Sequence, residues 1–170
     1  VTSPDAIVYV SLGSNIEPEK NLAAAVRLLR EKSTVLAVSH VYRTPPQGFT
    51  EQADFLNMAV KLTTPLSPAD FKREVLEFIE RELKRVRDPK NKNAPRTIDL
   101  DISLWGGEVF EYGSKSWRVP DKDILRFAHV AIPLAELAPD YVHPETSETL
   151  AEIASRFDSS TITRVESIRI

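Results

Sequence analysis

The chain has 170 residues, 42% hydrophobic and 28% charged, with a formal net charge of −3: an ordinary globular profile, long enough for one domain with a real core. It contains no cysteine, which excludes disulfides, thiolate catalysis and sulfur-ligated zinc. No apolar run approaches the ~18 residues of a membrane span, nothing at the N-terminus reads as a signal peptide, and the mild negative charge gives no general attraction to nucleic acid or to a membrane, so a cytoplasmic protein is expected.

Residues 6–12 (Ala-Ile-Val-Tyr-Val-Ser-Leu) are a β-branched run that predicts a buried strand, ended by the turn residues Gly13-Ser14-Asn15. Pro18 suits the first turn of a helix whose stripe, Leu22, Val26 and Leu29, recurs at i, i+4, i+7 and runs to about Lys32. Residues 35–42 predict a second strand. Residues 43–54 contain Thr44-Pro45-Pro46-Gln47-Gly48 and predict a loop of functional length. Residues 55–62 predict a third strand, with Leu56, Met58, Val60 and Leu62 on one face and Phe55, Asn57, Ala59 and Lys61 on the other. Ser67-Pro68-Ala69-Asp70 starts a second helix with the stripe Phe71, Val75, Ile79 and Leu83, which Arg87, Asp88 and Pro89 should end.

A basic stretch follows, holding Lys84, Arg85, Arg87, Lys90, Lys92 and Arg96 against the acid Asp88. It leads into the most informative strand. From Ile98 the sequence alternates: Ile98, Leu100, Ile102 and Leu104 fall on one face, Asp99, Asp101 and Ser103 on the other. Trp105-Gly106-Gly107-Glu108 predicts a hairpin turn, with 109–110 and 116–119 as lesser strands. Residues 121–137 predict short helices around Pro133, 147–157 one more helix, and 161–170 a late edge strand. The order β-α-β-β-α-β is the split βαβ pattern of an α+β domain. Its four-stranded antiparallel sheet carries both helices on one face. We expect a single domain over 1–170, with a core at 6–104 and an accessory part at 105–170.

That topology places Phe55, Asn57, Asp99 and Asp101 together on the open face. Two carboxylates two residues apart on a strand repel each other. A pair of Mg²⁺ ions gives a reason to tolerate this, since the ion takes carboxylate together with phosphate oxygens. Arg85, Arg87 and Arg96 are bidentate phosphate donors. Phe55 offers a stacking face and Asn57 an amide that can read the edge of a flat heterocycle. Each feature alone is commonplace, as a solvated edge strand, a core aromatic or a charged helix end; their convergence points to a nucleotide polyphosphate site. His40, His129 and His143 have no metal-ligand spacing, and no serine sits in a nucleophile elbow. Phosphoryl-type transfer needs neither, because positioning and charge neutralisation carry most of its rate. An RNA-binding sheet is disfavoured by two aspartates on the open face, which would repel phosphate.

Residues 94–102, Ala-Pro-Arg-Thr-Ile-Asp-Leu-Asp-Ile, with Gly13-Ser14-Asn15, Tyr42-Arg43-Thr44-Pro45-Pro46, Phe55-Leu56-Asn57, and Glu80 with Arg85-Val86-Arg87, resemble the 6-hydroxymethyl-7,8-dihydropterin pyrophosphokinases of folate biosynthesis over roughly residues 8–133. The resemblance implies a ferredoxin-like fold and transfer of pyrophosphate from ATP to the pterin hydroxymethyl group, with release of AMP. It implies two Mg²⁺ ions on Asp99 and Asp101, and ATP held by Arg85, Arg87 and Arg96, with Glu80 ordering the arginine loop and Ile102 near adenine. Thr44, Pro45, Phe55, Asn57 and His129 would hold the pterin. The loops 43–54 and 88–94 would close as lids over the site. ATP and a reduced pterin are the expected small-molecule partners, with no nucleic acid and no membrane, and a monomer is expected. Where the family carries a histidine, an arginine and an aromatic beyond Val-Pro, this chain reads Asp121, Phe127 and His129; Arg126 is the neighbouring arginine. The alternative is a non-catalytic pterin or nucleotide binder on the same scaffold. On the catalytic reading, loss of either Asp99 or Asp101 should abolish turnover with little loss of stability.

Overall fold

The computed structural model describes residues 5–46, 51–86, 89–91 and 94–170. Strand β1 (Ala6–Ser14) leads into helix α1 (Pro18–Lys32). Its buried residues Leu22, Ala25, Val26 and Leu29 follow the predicted stripe. The single second strand expected from sequence is two: β2 (Thr34–Val38) and β3 (Val41–Thr44), separated at Ser39-His40. Both pair with β4 (Phe55–Thr64), and a register shift between Val35 and Ala37 marks the irregularity.

The second helix is composite. Ser67 caps α2 (Pro68–Phe71) by accepting from the Asp70 N–H. A π-helical turn (Lys72–Leu76) then leads into α3 (Glu77–Glu82). Its buried face pairs adjacent residues: Phe71 with Lys72, Val75 with Leu76, and Ile79 with Glu80. The extra residue of the π turn keeps these pairs in register over the sheet, where a plain 3.6-residue period would drift. The helix ends at Glu82 rather than at Arg87-Asp88-Pro89, because Lys84 takes a left-handed conformation (φ 59°).

Strand β5 (Asp99–Trp105) and the late strand β8 (Thr163–Val165) complete an antiparallel sheet of order β5-β1-β4-β3-β8, in which β2 also pairs with β4. The predicted split βαβ core is present, and the late strand exists as β8 on β3. Residues 105–108 do not fold β5 onto the next strand. Instead β6 (Phe110–Tyr112) pairs with β7 (Trp117–Val119) in a separate small sheet.

Two apolar clusters sandwich the sheet. The first packs Val8, Val10, Leu12, Met58, Leu62 and Leu100 against α1 and the composite helix. The second packs Tyr9, Ala59 and Leu104 against α4 (Ala128–Leu137) and α5 (Leu150–Ser155). The face expected to be open is therefore partly covered by the C-terminal helices. Leu104 lies in this second cluster, not with Ile98, Leu100 and Ile102, because β5 bulges between its pairings Leu104–Tyr9 and Ile102–Val10. The bulge leaves Ser103 and Leu104 on the same side, and Trp105 turns into the first cluster. Where α4 and α5 stop, the uncovered part of this face forms a cleft.

Candidate active site

The cleft has a volume of about 200 Å³, and Gly13, Phe55, Asn57, Asp99, Asp101 and His129 are among its lining residues. Register decides which groups meet. Gly13 of β1 lies opposite Asn57 of β4 on one side and Asp99 of β5 on the other. These three positions form one cross-strand row, with the glycine as a trough between an amide and a carboxylate. A Cβ on Gly13 would stand 3.0 Å from the Asn57 Oδ1, so any side chain here would have to displace the Asn57 amide. The Asn57 amide donates to the Thr44 hydroxyl at 2.8 Å, fixing its orientation from β3.

The arginines arrive by two routes. At the end of α3 the Arg85 N–H bonds the Glu80 carbonyl and the Lys84 N–H bonds the Arg81 carbonyl, the pair of bonds that defines a Schellman cap. In such caps an apolar contact commonly joins the two outer positions. Here an ion pair replaces it, with the Arg85 Nη1 3.3 Å from the Glu80 Oε2 and both side chains buried. The same Nη1 donates to the Ile98 carbonyl at 2.8 Å and lies 3.3 Å from the Asp99 Oδ1. Arg96 is placed by Asn15. The Asn15 side chain accepts from the Arg96 N–H at 2.8 Å and donates to the Gln52 side chain and the Ala53 carbonyl, while its backbone N–H bonds the Arg96 carbonyl. One asparagine thus ties β1, the approach to β4 and the approach to β5 together. The Arg96 guanidinium then reaches Asp99 at 3.1 Å and lies over the Phe55 ring, 5.6 Å from its centroid.

The two carboxylates are consequently unequal. Burial works against charge on Asp99, but the Arg96 and Arg85 guanidiniums outweigh it and hold the carboxyl below its ordinary range. Burial and the Asp99 charge push Asp101 well above it, and Lys72, 3.9 Å away, opposes the push. The Asp101 side chain keeps 49% of its surface open to the cleft, so water tempers that effect. Facing this arm, Phe127 and His129 stack with centroids 5.2 Å apart, and burial lowers the His129 pKa. Asp121, at the start of a 3-10 turn (Lys122–Leu125), is pushed up to about 6, chiefly by burial. A second cleft of about 330 Å³ adjoins the first, sharing Asp101 and Asp121 and walled by Ile102, Tyr112, Trp117 and Lys122.

A family model, 7,8-dihydro-6-hydroxymethylpterin-pyrophosphokinase, matches residues 9–139. The chain belongs to this family. The 2-amino-4-hydroxy-6-hydroxymethyldihydropteridine pyrophosphokinases of Bacillus subtilis and Methylorubrum extorquens are each 40% identical to it. The first match covers 83% of this chain and 83% of its relative, the second 93% and 98%. Among solved structures, the wild-type Plasmodium falciparum HPPK-DHPS protein superposes with a TM-score of 0.76 at 13% identity, over 98% of this chain and 46% of that one. This chain thus spans about half the length of that structural neighbour, and the likeness shows a shared fold.

Of the residues singled out from sequence, Thr44, Pro45, Phe55, Asn57, Arg96, Asp99, Asp101 and His129 line the first cleft. Ile102 lines the second, and Glu80 and Arg85 buttress the acidic strand from behind. Arg87 and parts of both predicted lids lie outside the described residues. Arg126 is 56% exposed, pairs with Asp123 and is not among the residues that line the first cleft. Sequence reasoning missed Lys72, which reads as one more cation on a helix; its signal was its place beside Phe71 on the apolar stripe. It also missed the tying role of Asn15, legible only as a turn residue.

Proposed function

We propose that this chain transfers the β,γ-pyrophosphoryl group of ATP to the hydroxymethyl oxygen of 6-hydroxymethyl-7,8-dihydropterin and releases AMP, supplying the activated pterin of folate biosynthesis. The observation that carries this reading is the continuity of one cleft from the Phe55–Asn57–Thr44 wall, across Gly13, to Asp99 and Asp101. The family membership and the 40% identical relatives support it.

On this reading Phe55 stacks on the pterin from one side and His129, backed by Phe127, from the other, while Asn57 and Thr44 read the heterocycle edge and Pro45 closes the rim. Ile102, Tyr112 and Trp117 offer the nucleotide base an apolar and aromatic wall in the second cleft. Arg85 and Arg96 engage the phosphates by releasing Asp99, and Glu80 keeps Arg85 oriented during that exchange. Arg87, by its motif position, joins them.

Asp99 and Asp101 fit Mg²⁺ as hard oxygen donors on one strand face. Among the described residues no group of three or more metal-ligating side chains exists. The pair therefore suits ions that complete their shells with phosphate oxygens and water. When bound, two such ions would neutralise charge on the transferring group. The protein contributes alignment of the pterin hydroxymethyl with the β-phosphorus and exclusion of water. We read the chain further as one folding unit working as a cytoplasmic monomer. No described helix is long and apolar enough to cross a membrane.

The test is to incubate the protein with ATP, Mg²⁺ and the hydroxymethyl dihydropterin, and to follow AMP and pterin diphosphate by chromatography. Stoichiometric AMP and pterin diphosphate are expected. Pterin binding without AMP at high protein concentration would instead establish the non-catalytic alternative.

A further inference from the structure

Lys72 is 5% exposed yet lies outside the set of residues assigned above. It begins the π-helical turn, whose widened ring is closed by the Glu77 N–H on the Lys72 carbonyl. Its side chain runs to β5, the terminal strand of the sheet. There the ammonium donates to the Leu100 carbonyl at 3.3 Å, stands 3.9 Å from the Asp101 Oδ1, and lies 5.2 Å from the Trp117 ring centroid. Two turns along the same helix face, Glu80 holds Arg85 against Asp99. Each carboxylate of the Asp-x-Asp pair thus has its own helix-borne charge system, a π turn setting one and a helix cap the other. π turns of this kind recur at functional sites.

We infer that Lys72 is a positioning residue that makes divalent-cation binding at Asp101 conditional on the nucleotide; this rests on the function proposed above. Two consequences follow from its place. The ammonium anchors Asp101 and Trp117 in one arrangement, so the carboxylate of the first cleft and the wall of the second are set together. It also places a fixed positive charge beside the carboxylate that would receive a cation. A divalent ion approaching the free protein meets that charge with only two carboxylates to hold it, whereas one arriving with a polyphosphate brings its own compensating negative charge. The lysine weakens the empty site for metal and arranges it for the metal–nucleotide complex.

The test compares the parent with Lys72→Met, Lys72→Gln and Lys72→Arg. Mn²⁺ binding is measured by electron paramagnetic resonance without nucleotide, alongside steady-state AMP formation. Removing the charge in Lys72→Met or Lys72→Gln is expected to tighten Mn²⁺ binding to the free protein about fivefold or more. The same variants are expected to lower kcat about tenfold or more, with a smaller change in the KM for pterin. Lys72→Arg is expected to stay within about threefold of the parent on both readouts, because it restores the charge. Looser packing alone would weaken both metal binding and turnover, so the opposite signs separate positioning from a merely structural role. Unchanged or weaker Mn²⁺ binding in a neutral variant that melts as a folded protein overturns the inference, as does a kcat within about twofold of the parent. The Mn²⁺ measurement needs no turnover. An inactive parent would overturn the proposed function, while a neutral variant that leaves Mn²⁺ binding unchanged overturns only the role of Lys72.

Discussion

Asp99→Asn and Asp101→Asn should differ in stability although both should be inactive. From sequence the two carboxylates are equivalent and removable without harm to the fold; the ion pairs of Asp99 with Arg85 and Arg96 predict a cost for removing that one. That side chain joins Arg85, 8% exposed, to Arg96, 15% exposed. Removing one partner of a buried ion pair costs about 3–5 kcal/mol. Asp99 is itself 29% exposed, Arg85 keeps the Ile98 carbonyl and Glu80, and Arg96 keeps the Ala94 carbonyl, which brings the cost down to about 1–2 kcal/mol. At about 2–4 °C per kcal/mol for a chain of this size, Asp99→Asn should melt about 2–8 °C below the parent. Asp101→Asn relieves repulsion from Asp99 and loses attraction to Lys72 at 3.9 Å; these oppose each other in a half-exposed site, so its melting point should stay within about 2 °C of the parent. Both variants should lose AMP formation by about a hundredfold or more. The measurements are thermal unfolding without nucleotide at pH 7.5 and the AMP assay. The sign of the Asp99 effect can also be checked by pH. Its folded-state pKa is depressed, so its contribution is complete above the ordinary carboxylate value of about 3.9 and is lost as pH falls through the folded value. The gap between parent and Asp99→Asn should therefore close in acid. An Asp99→Asn protein as stable as the parent, or an Asp101→Asn protein less stable than Asp99→Asn, would refute this charge assignment.

Gly13→Ala should push the Asn57 amide aside from its 3.0 Å approach and raise the pterin KM about tenfold, leaving the ATP KM nearly unchanged; steady-state kinetics with each substrate varied checks it. Lys84→Gly should relieve the left-handed strain at φ 59° and stabilise the protein by about 0.5–1 kcal/mol, read as a rise in the urea midpoint with kcat preserved. For Asp121→Asn the sign follows from a folded pKa of about 6, set mainly by burial. The folded protein holds that proton while the unfolded chain has lost it, so stability falls as pH rises from about 4 to 6. The variant should melt with the parent near pH 4 and exceed it by about 1–2 kcal/mol above pH 6, after allowance for solvent screening.

The sequence by itself determined the kinds of element and their order. β-branched runs, the Ser67 cap and the Leu22–Val26–Leu29 stripe reflect local periodicity and local hydrogen bonding, and a strand's period of two put Asp99 and Asp101 on one face. It also brought Phe55, Asn57 and the Asp pair to one face of a split βαβ sheet, since that topology leaves few other arrangements. Only the tertiary structure decided what depended on partners far along the chain. The bulge that turns Leu104 to the second core arises from pairing with β1. The cover that α4 and α5 lay over part of the expected open face depends on packing across the sheet. The inequality of the two carboxylates depends on Lys72, Arg85 and Arg96, which a helix π turn, a helix cap and an asparagine 81 residues from Arg96 bring to the same strand. A repeating pattern records which face a residue takes; which charge stands opposite it is fixed only when the chain closes on itself.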